Sequence, residues 1–219
     1  MASKNVLMVL TNFGKIDENN DTGLWLEEFT IPYETFVEKG YDVTVASPSG
    51  GEVPVDPRSE PEEDNWKETR SLLKDTRTLA SVNGGDYDAV FLPGGHGTMF
   101  DFPEDENLQN LLATMYEDGK VVGAVCHGPA GLTNVKLSDG TQLVDGKTLT
   151  AFTNEEESGT GLEEAMPFLL ESKLREQGAH FVVKPKFSDH VEADGRLVTG
   201  QNPPSSRNTA LSVIDVLEG

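Results

Sequence analysis

The chain reads as an α/β protein, a three-layer α/β/α sandwich around a mostly parallel central sheet. Three observations predict this. Near-continuous apolar runs at 4–12 (KNVLMVLTN), 88–92 (DAVFL) and 121–125 (VVGAV) have the composition of strands buried on both faces. Amphipathic helical segments separate the strands. The last two runs end abruptly in PGGHG and CHGP, which puts small and polar residues at the carboxyl edge of the sheet, where open α/β folds bind ligands.

In chain order, the first strand is followed by a helix over 22–39, with apolar Leu24, Trp25, Phe29, Ile31, Phe36 and Val37 and a stop at Gly40. Pro32 must sit in its early turns or kink it. Residues 41–46 (YDVTVA) alternate and are β-branched, as a second strand should be. Residues 47–64 are rich in proline, glycine and acids and are expected to be a long loop with little order. A helix over 66–82 has only Leu72, Leu73 and Leu79 as its stripe. An amphipathic helix is expected at 107–116, a turn at Asp145-Gly146 before a strand within 142–152, a helix at 166–177 closed by Gly178, and a strand at 181–183. A hairpin turning at Asp194-Gly195 within 191–199 and a helix at 209–217 complete the alternation. With 219 residues and neither repeat nor linker, one domain spanning 1–219 is expected.

Thirty-eight acids against seventeen Lys and Arg give a net charge of −21. Such a surface repels nucleic acid and anionic membranes, so neither is expected as a partner. The acids are dispersed, which describes a solvated coat and predicts adaptation to a salty cytoplasm, where ions screen self-repulsion. No apolar stretch approaches the roughly 20 residues of a membrane span, and the opening MASKNVLMVLTN lacks a signal-peptide pattern, so a cytoplasmic location is expected.

One cysteine excludes an internal disulfide. Cys126 ends an apolar strand and precedes His-Gly-Pro and small residues (AVCHGPAGL), the layout of a nucleophile elbow. A helix starting here would lower the thiol pKa from about 8.5 toward neutrality. The plain alternative, a small apolar filler, does not require a neighbouring His or the Gly-Pro that follows. Gly95, in FLPGGHG, and the amide of His127 are candidate oxyanion donors. His96, His180 and His190 form no recognisable ligand spacing, so no metal is expected, and no organic cofactor either.

FLPGGHG, AVCHGP, GRLVTGQNPPS and TGLWLEEFTIPYETF together resemble the ThiJ/PfpI (class I glutamine amidotransferase-like) superfamily over nearly the whole chain. Within it the likeness is to the Hsp31-like branch, the glutathione-independent glyoxalases of glyoxalase III type. The resemblance implies a flavodoxin-like sandwich, Cys126 as nucleophile and His127 as the adjacent base. It also implies Glu28, rather than Glu27, as the acid at the sulfur. A triad acid follows Phe152-Thr153, which puts Glu157 there, with Glu155 and Glu156 adjacent and open to a register shift. The implied activity is conversion of methylglyoxal to D-lactate without glutathione, with a small dicarbonyl as partner; relatives of this kind often form homodimers. An amide hydrolase or protease, a holdase chaperone and a cysteine redox sensor are the alternative functions.

Overall fold

The structure, a computed structural model, describes residues 3–63 and 65–219. Met1 and Ala2 of the opening segment and Asp64 of the acidic loop lie outside them. The elements in order are β1 (Asn5–Val9), α1 (Leu26–Glu38), β2 (Asp42–Ser47), α2 (Lys67–Ser71), β3 (Arg77–Thr78) and β4 (Ala89–Leu92). They continue with α3 (Thr98–Asp101), α4 (Glu106–Glu117), β5 (Val121–Val125), β6 (Thr148–Leu149), α5 (Asn154–Ser158) and α6 (Leu170–Glu176). The chain ends with β7 (His180–Phe181), β8 (Val191–Asp194), β9 (Leu197–Gly200) and α7 (Ser206–Glu218).

Seven strands form one sheet in the order β3-β2-β1-β4-β5-β9-β8, all parallel except β8, which pairs antiparallel with β9. The chain winds outward from β1 to β3 and then restarts on the other side of β1 with β4. The order therefore reverses between β1 and β4, and the crevice of such a fold lies at the carboxyl ends of those strands. Alternate residues serve opposite faces. Leu7, Val9, Val90, Leu92, Val122 and Ala124 pack with Leu108, Leu112 and Met115 of α4. Val6, Met8, Phe91, Val121 and Val125 face Phe29 and Phe36 of α1 and Ala210, Val213 and Ile214 of α7. Burial on both faces is the physical reason these strands read as unbroken apolar runs.

Several expectations need correction. The first helix starts at Leu26, not at 22, because residues 22–25 are held as an extended segment by Leu24 N–H to Pro54 O and Trp25 N–H to Gly94 O. Pro32 lies inside it. The helix expected at 66–82 breaks into α2, a 3-10 turn at Leu72–Lys74, β3 and a second 3-10 turn at Leu79–Ser81, with Ser47 and Thr76 hydroxyls paired at 2.6 Å. Its three leucines are too few to hold a continuous helix against the sheet edge. The strand expected within 142–152 is only β6, which pairs with β7 in a separate two-stranded sheet. The helix expected at 166–177 begins only at Leu170. The segment after Cys126 is one 3-10 helix, Gly128–Leu132, in place of an α-helix.

Candidate active site

Cys126 terminates β5 with φ +59°, a left-handed conformation that a residue with a β-carbon adopts only under local constraint. The constraint is visible. Its N–H donates to Gly200 O at 3.0 Å, and its carbonyl accepts from Phe152 N–H at 2.9 Å. The resulting sharp turn lifts the side chain toward the PGGHG loop that follows β4. Glycine is required there: a β-carbon on Gly94 would lie 2.6 Å from Glu28 Oε2 and 2.7 Å from His127 N. Gly95, at φ +104°, packs so closely against the Gly23–Trp25 segment that a β-carbon would approach Gly23 O to 2.2 Å. Thr98 Oγ1 lies 2.9 Å from the carbonyl oxygens of both Gly95 and His127 and ties the two loops together. Among the described residues, neither the Gly95 nor the His127 amide donates to a protein acceptor.

Cys126 Sγ is 3.4 Å from His127 Nδ1, and His127 Nε2 is 2.6 Å from Glu157 Oε2. Glu157 thus stands at the end of the Cys-His pair, brought there by a capping box in which Thr153 starts α5. Its neighbours are placed otherwise. Glu155 is exposed and faces Lys186 at 3.9 Å. Glu156 is fully buried and accepts from Thr153 N–H and Oγ1–H on one oxygen and from Phe187 N–H, Gln201 Nε2–H and Asn202 Nδ2–H on the other. It is a clamp with all its acceptor capacity used.

His96, which the sequence reading set aside, occupies the other side of Glu157: its Nε2 is 2.7 Å from Oε1, and its ring centroid is 4.2 Å from that of His127. One carboxylate facing two imidazoles settles the tautomers, because each Nε2 must carry the proton that Glu157 accepts. The Nδ1 lone pair of His127 then faces the sulfur. His96 Nδ1 likewise becomes an acceptor, 3.4 Å from the Arg58 guanidinium. Burial, with the neighbouring His127 adding to it electrostatically, lowers the His96 pKa to about 4, so that imidazole is neutral. Burial also raises the Glu157 carboxyl, but His127 and then His96 outweigh it and hold Glu157 well below the ordinary carboxylate range. The signal for His96 was present in the glycine motif; only its distance to Glu157 was not. His96, His127 and Glu157 also place one ligand atom each within 4.8 Å of one another, a set able to hold a metal ion if both Nε2 protons left.

Glu28 is completely buried on α1, whereas Glu27 is half-exposed. Its Oε2 accepts the Gly94 N–H at 2.8 Å, and its Oε1 has no protein partner among the described residues. Burial raises its pKa well above the usual range, and the nearby Cys126 thiol and the Gly94 N–H only partly oppose it. The Cys126 thiol is likewise pushed well up, by burial first and by Glu28 next. This corrects the expected depression: no α-helix begins at Cys126, and the thiol is 3% exposed. A protonated Glu28 reverses its own contribution, since a neutral carboxyl donates to a thiolate where a carboxylate would repel it. The thiol and the carboxyl therefore titrate as one coupled pair.

Cys126, His127, His96 and Gly95 open onto a cavity of about 190 Å³, also lined by Trp25, Arg58, Phe152, Thr160 and Phe187. This is smaller than the roughly 300–1,000 Å³ that drug-sized ligands occupy, so the ligand it suits is a few heavy atoms across. A larger, open depression near Glu52, Val53 and Leu73 is lined, among the described residues, by no cysteine and no histidine.

This arrangement coincides with a family-wide sequence match: the DJ-1/PfpI family profile covers residues 22–216. The chain belongs to the DJ-1/PfpI family. It is 34% identical over its full length to the full length of a protein named glutathione-independent glyoxalase HSP31 from Saccharomyces cerevisiae. It superposes on the crystal structure of glyoxalase III from Candida albicans with a TM-score of 0.90 at 33% identity, covering 97% of each chain. It also superposes on the Francisella tularensis rapid encystment protein of 24 kDa with a TM-score of 0.92 at 37% identity, covering 98% of this chain and 99% of the other. No helix among the described residues is long and apolar enough to cross a membrane.

Proposed function

We propose that this DJ-1/PfpI protein is a glutathione-independent glyoxalase that converts methylglyoxal to D-lactate through a Cys126 hemithioacetal, serving reactive-carbonyl detoxification. The observation that carries the reading is the line from Cys126 Sγ through His127 to Glu157, beside two amide donors that have no protein acceptor among the described residues. The relatives' names supply the substrate class.

The sulfur adds to the aldehyde carbon. Its proton passes through His127 Nδ1 to the former aldehyde oxygen, which the Gly95 and His127 amides hold while it is charged. His127, basic again, removes the hydrogen of that carbon, and the electron pair forms a carbon–carbon double bond to give the enediol(ate). Protonation of the neighbouring carbon and loss of the hydroxyl proton give a lactoyl thioester. Water then hydrolyses it, releasing lactate and restoring the thiol. The atoms balance with one water consumed and no external oxidant or reductant. Glu28, protonated, offers its hydrogen to the sulfur and keeps a second negative charge out of the pocket.

The test measures methylglyoxal consumption and D-lactate formation without glutathione, in high salt, for the wild type, Cys126→Ser and Glu28→Gln. Cys126→Ser should lose at least about 10³-fold in kcat, a scale typical of removing a nucleophile. Full activity in that variant would remove the central claim, and ammonia or peptide release in place of lactate would favour the amide-hydrolase class.

A further inference from the structure

The 47–64 loop, which the sequence presented as featureless, delivers a guanidinium to the cavity. Asp56 is fully buried. It accepts Arg58 Nε–H on Oδ1 at 2.9 Å and Arg58 Nη2–H on Oδ2 at 2.5 Å, and Thr22 Oγ1–H on Oδ2 at 3.0 Å. The Arg58 backbone N–H, 2.9 Å from Oδ1, completes the clamp, and Nη2 also leans on His96 Nδ1 at 3.4 Å. One edge of the guanidinium is thus fixed. Among the described residues, its Nη1 makes no hydrogen bond, while Arg58 lines the same cavity as Cys126 and Gly95. Among the described residues that line this cavity, it is the only arginine or lysine.

An arginine held this rigidly, on a protein of net charge −21, is suited to gripping an oxygen of the reacting molecule. The amides of Gly95 and His127 are available for the oxygen on the carbon that Cys126 attacks. This leaves the neighbouring oxygen. We propose that Arg58 is a specificity-determining residue that binds the oxygen of the second carbonyl, so that the site selects 2-oxoaldehydes over simple aldehydes. The inference rests on the glyoxalase reading for its substrate. When the C–H proton of the hemithioacetal leaves, the electron pair becomes the carbon–carbon double bond and the π pair of the second carbonyl moves onto its oxygen. The Nη1 edge then meets a full negative charge, an interaction stronger in the transition state than in the ground state.

Arg58→Met alone strands the buried Asp56 carboxylate, so the test uses Arg58→Lys and the double variant Arg58→Met/Asp56→Asn, both checked for folding by circular dichroism and thermal melting. Two readouts are taken. The first is kcat/KM for methylglyoxal, expected to fall about 10²-fold, the scale for losing one donor to a developing oxyanion. The second is the rate of Cys126 alkylation by iodoacetate divided by that by iodoacetamide, two reagents of similar size that differ in charge. Iodoacetamide should react within threefold of the wild-type rate in both variants, whereas the iodoacetate ratio should drop about tenfold in the double variant, which lacks the cation, and stay closer to the wild-type value in Arg58→Lys, which keeps it. A folded double variant with an unchanged ratio would overturn the placement of Arg58, and an unchanged kcat/KM would overturn its role in selection. The alkylation ratio does not depend on turnover, so a wild type inactive on methylglyoxal would refute the glyoxalase reading while the ratio still decided whether Arg58 faces the nucleophile.

Discussion

Replacing Glu157 by Gln tests the core of the site with almost no change of shape. The carboxylate accepts two imidazole N–H groups at 2.6 and 2.7 Å, and a glutamine keeps one acceptor and substitutes a donor for the other. One charge-assisted bond is lost, worth about 1.5–3 kcal/mol. If the amide NH₂ faces His127, that ring must move its proton to Nδ1 and then has no lone pair for the thiol; this is the wrong-tautomer situation that costs about 10⁴ in a serine protease triad. If the NH₂ faces His96, that ring presents an Nδ1–H to the Arg58 N–H only 3.4 Å away, so this orientation is opposed by a donor–donor contact. The wrong tautomer of His127 is therefore favoured. The expected outcome is a fall in kcat of about 10³ or more, with a stability loss near 2–3 kcal/mol by urea melting. Glu155→Gln, at an exposed site, should change both by little, within about 0.5 kcal/mol. Glu156→Gln should lower stability by about 2–5 kcal/mol, because an NH₂ would face donors from Thr153 or from Phe187, Gln201 and Asn202. A Glu157→Gln enzyme that keeps more than a third of its kcat, or a Glu155→Gln enzyme that loses its activity, would refute the assignment.

Four further outcomes are expected. The folded His96 pKa near 4 lies below its unfolded value of 6.5, so it contributes stability that is complete above pH 6.5 and lost as pH falls to about 4, some 3 kcal/mol in all. His96→Asn should flatten that limb in denaturant melts run across pH. Asp101 acts in the opposite sense: burial raises it to about 6, so its contribution is present below pH 3.8 and lost as pH rises toward 6. Asp101→Asn should therefore steepen the acid limb, and an unchanged slope would contradict the burial argument. Gly94→Ala should slow iodoacetamide labelling of Cys126 and lower stability by about 1–3 kcal/mol, since a methyl there meets Glu28 and the His127 amide at 2.6 and 2.7 Å. Finally, if the net charge of −21 reflects a salty habitat, the melting temperature should climb with added KCl beyond the first few tenths molar; a flat response would leave ordinary acidity as the account.

The sequence by itself determined the sandwich, because strands buried on both faces have no choice but to be apolar throughout, and 121–125 and 89–92 show that directly. It also determined Cys126 and His127, whose placement at a strand end before Gly-Pro follows from local geometry alone. Residues acting across the chain were another matter. Glu27 and Glu28, and the run Glu155 to Glu157, are chemically equivalent in sequence, and only the family resemblance pointed to Glu28 and Glu157; a physical difference, burial and a 2.6 Å contact, arises once α1 and α5 are packed. His96 and Arg58 are 30 and 68 positions from Cys126, respectively, and their convergence depends on strand order at the β1–β4 reversal, which no local pattern encodes. The direction of the thiol pKa was decided by tertiary structure for the same reason. A helix terminus is a local feature, but burial and a carboxyl from another element are collective ones, and here the collective effects are the stronger.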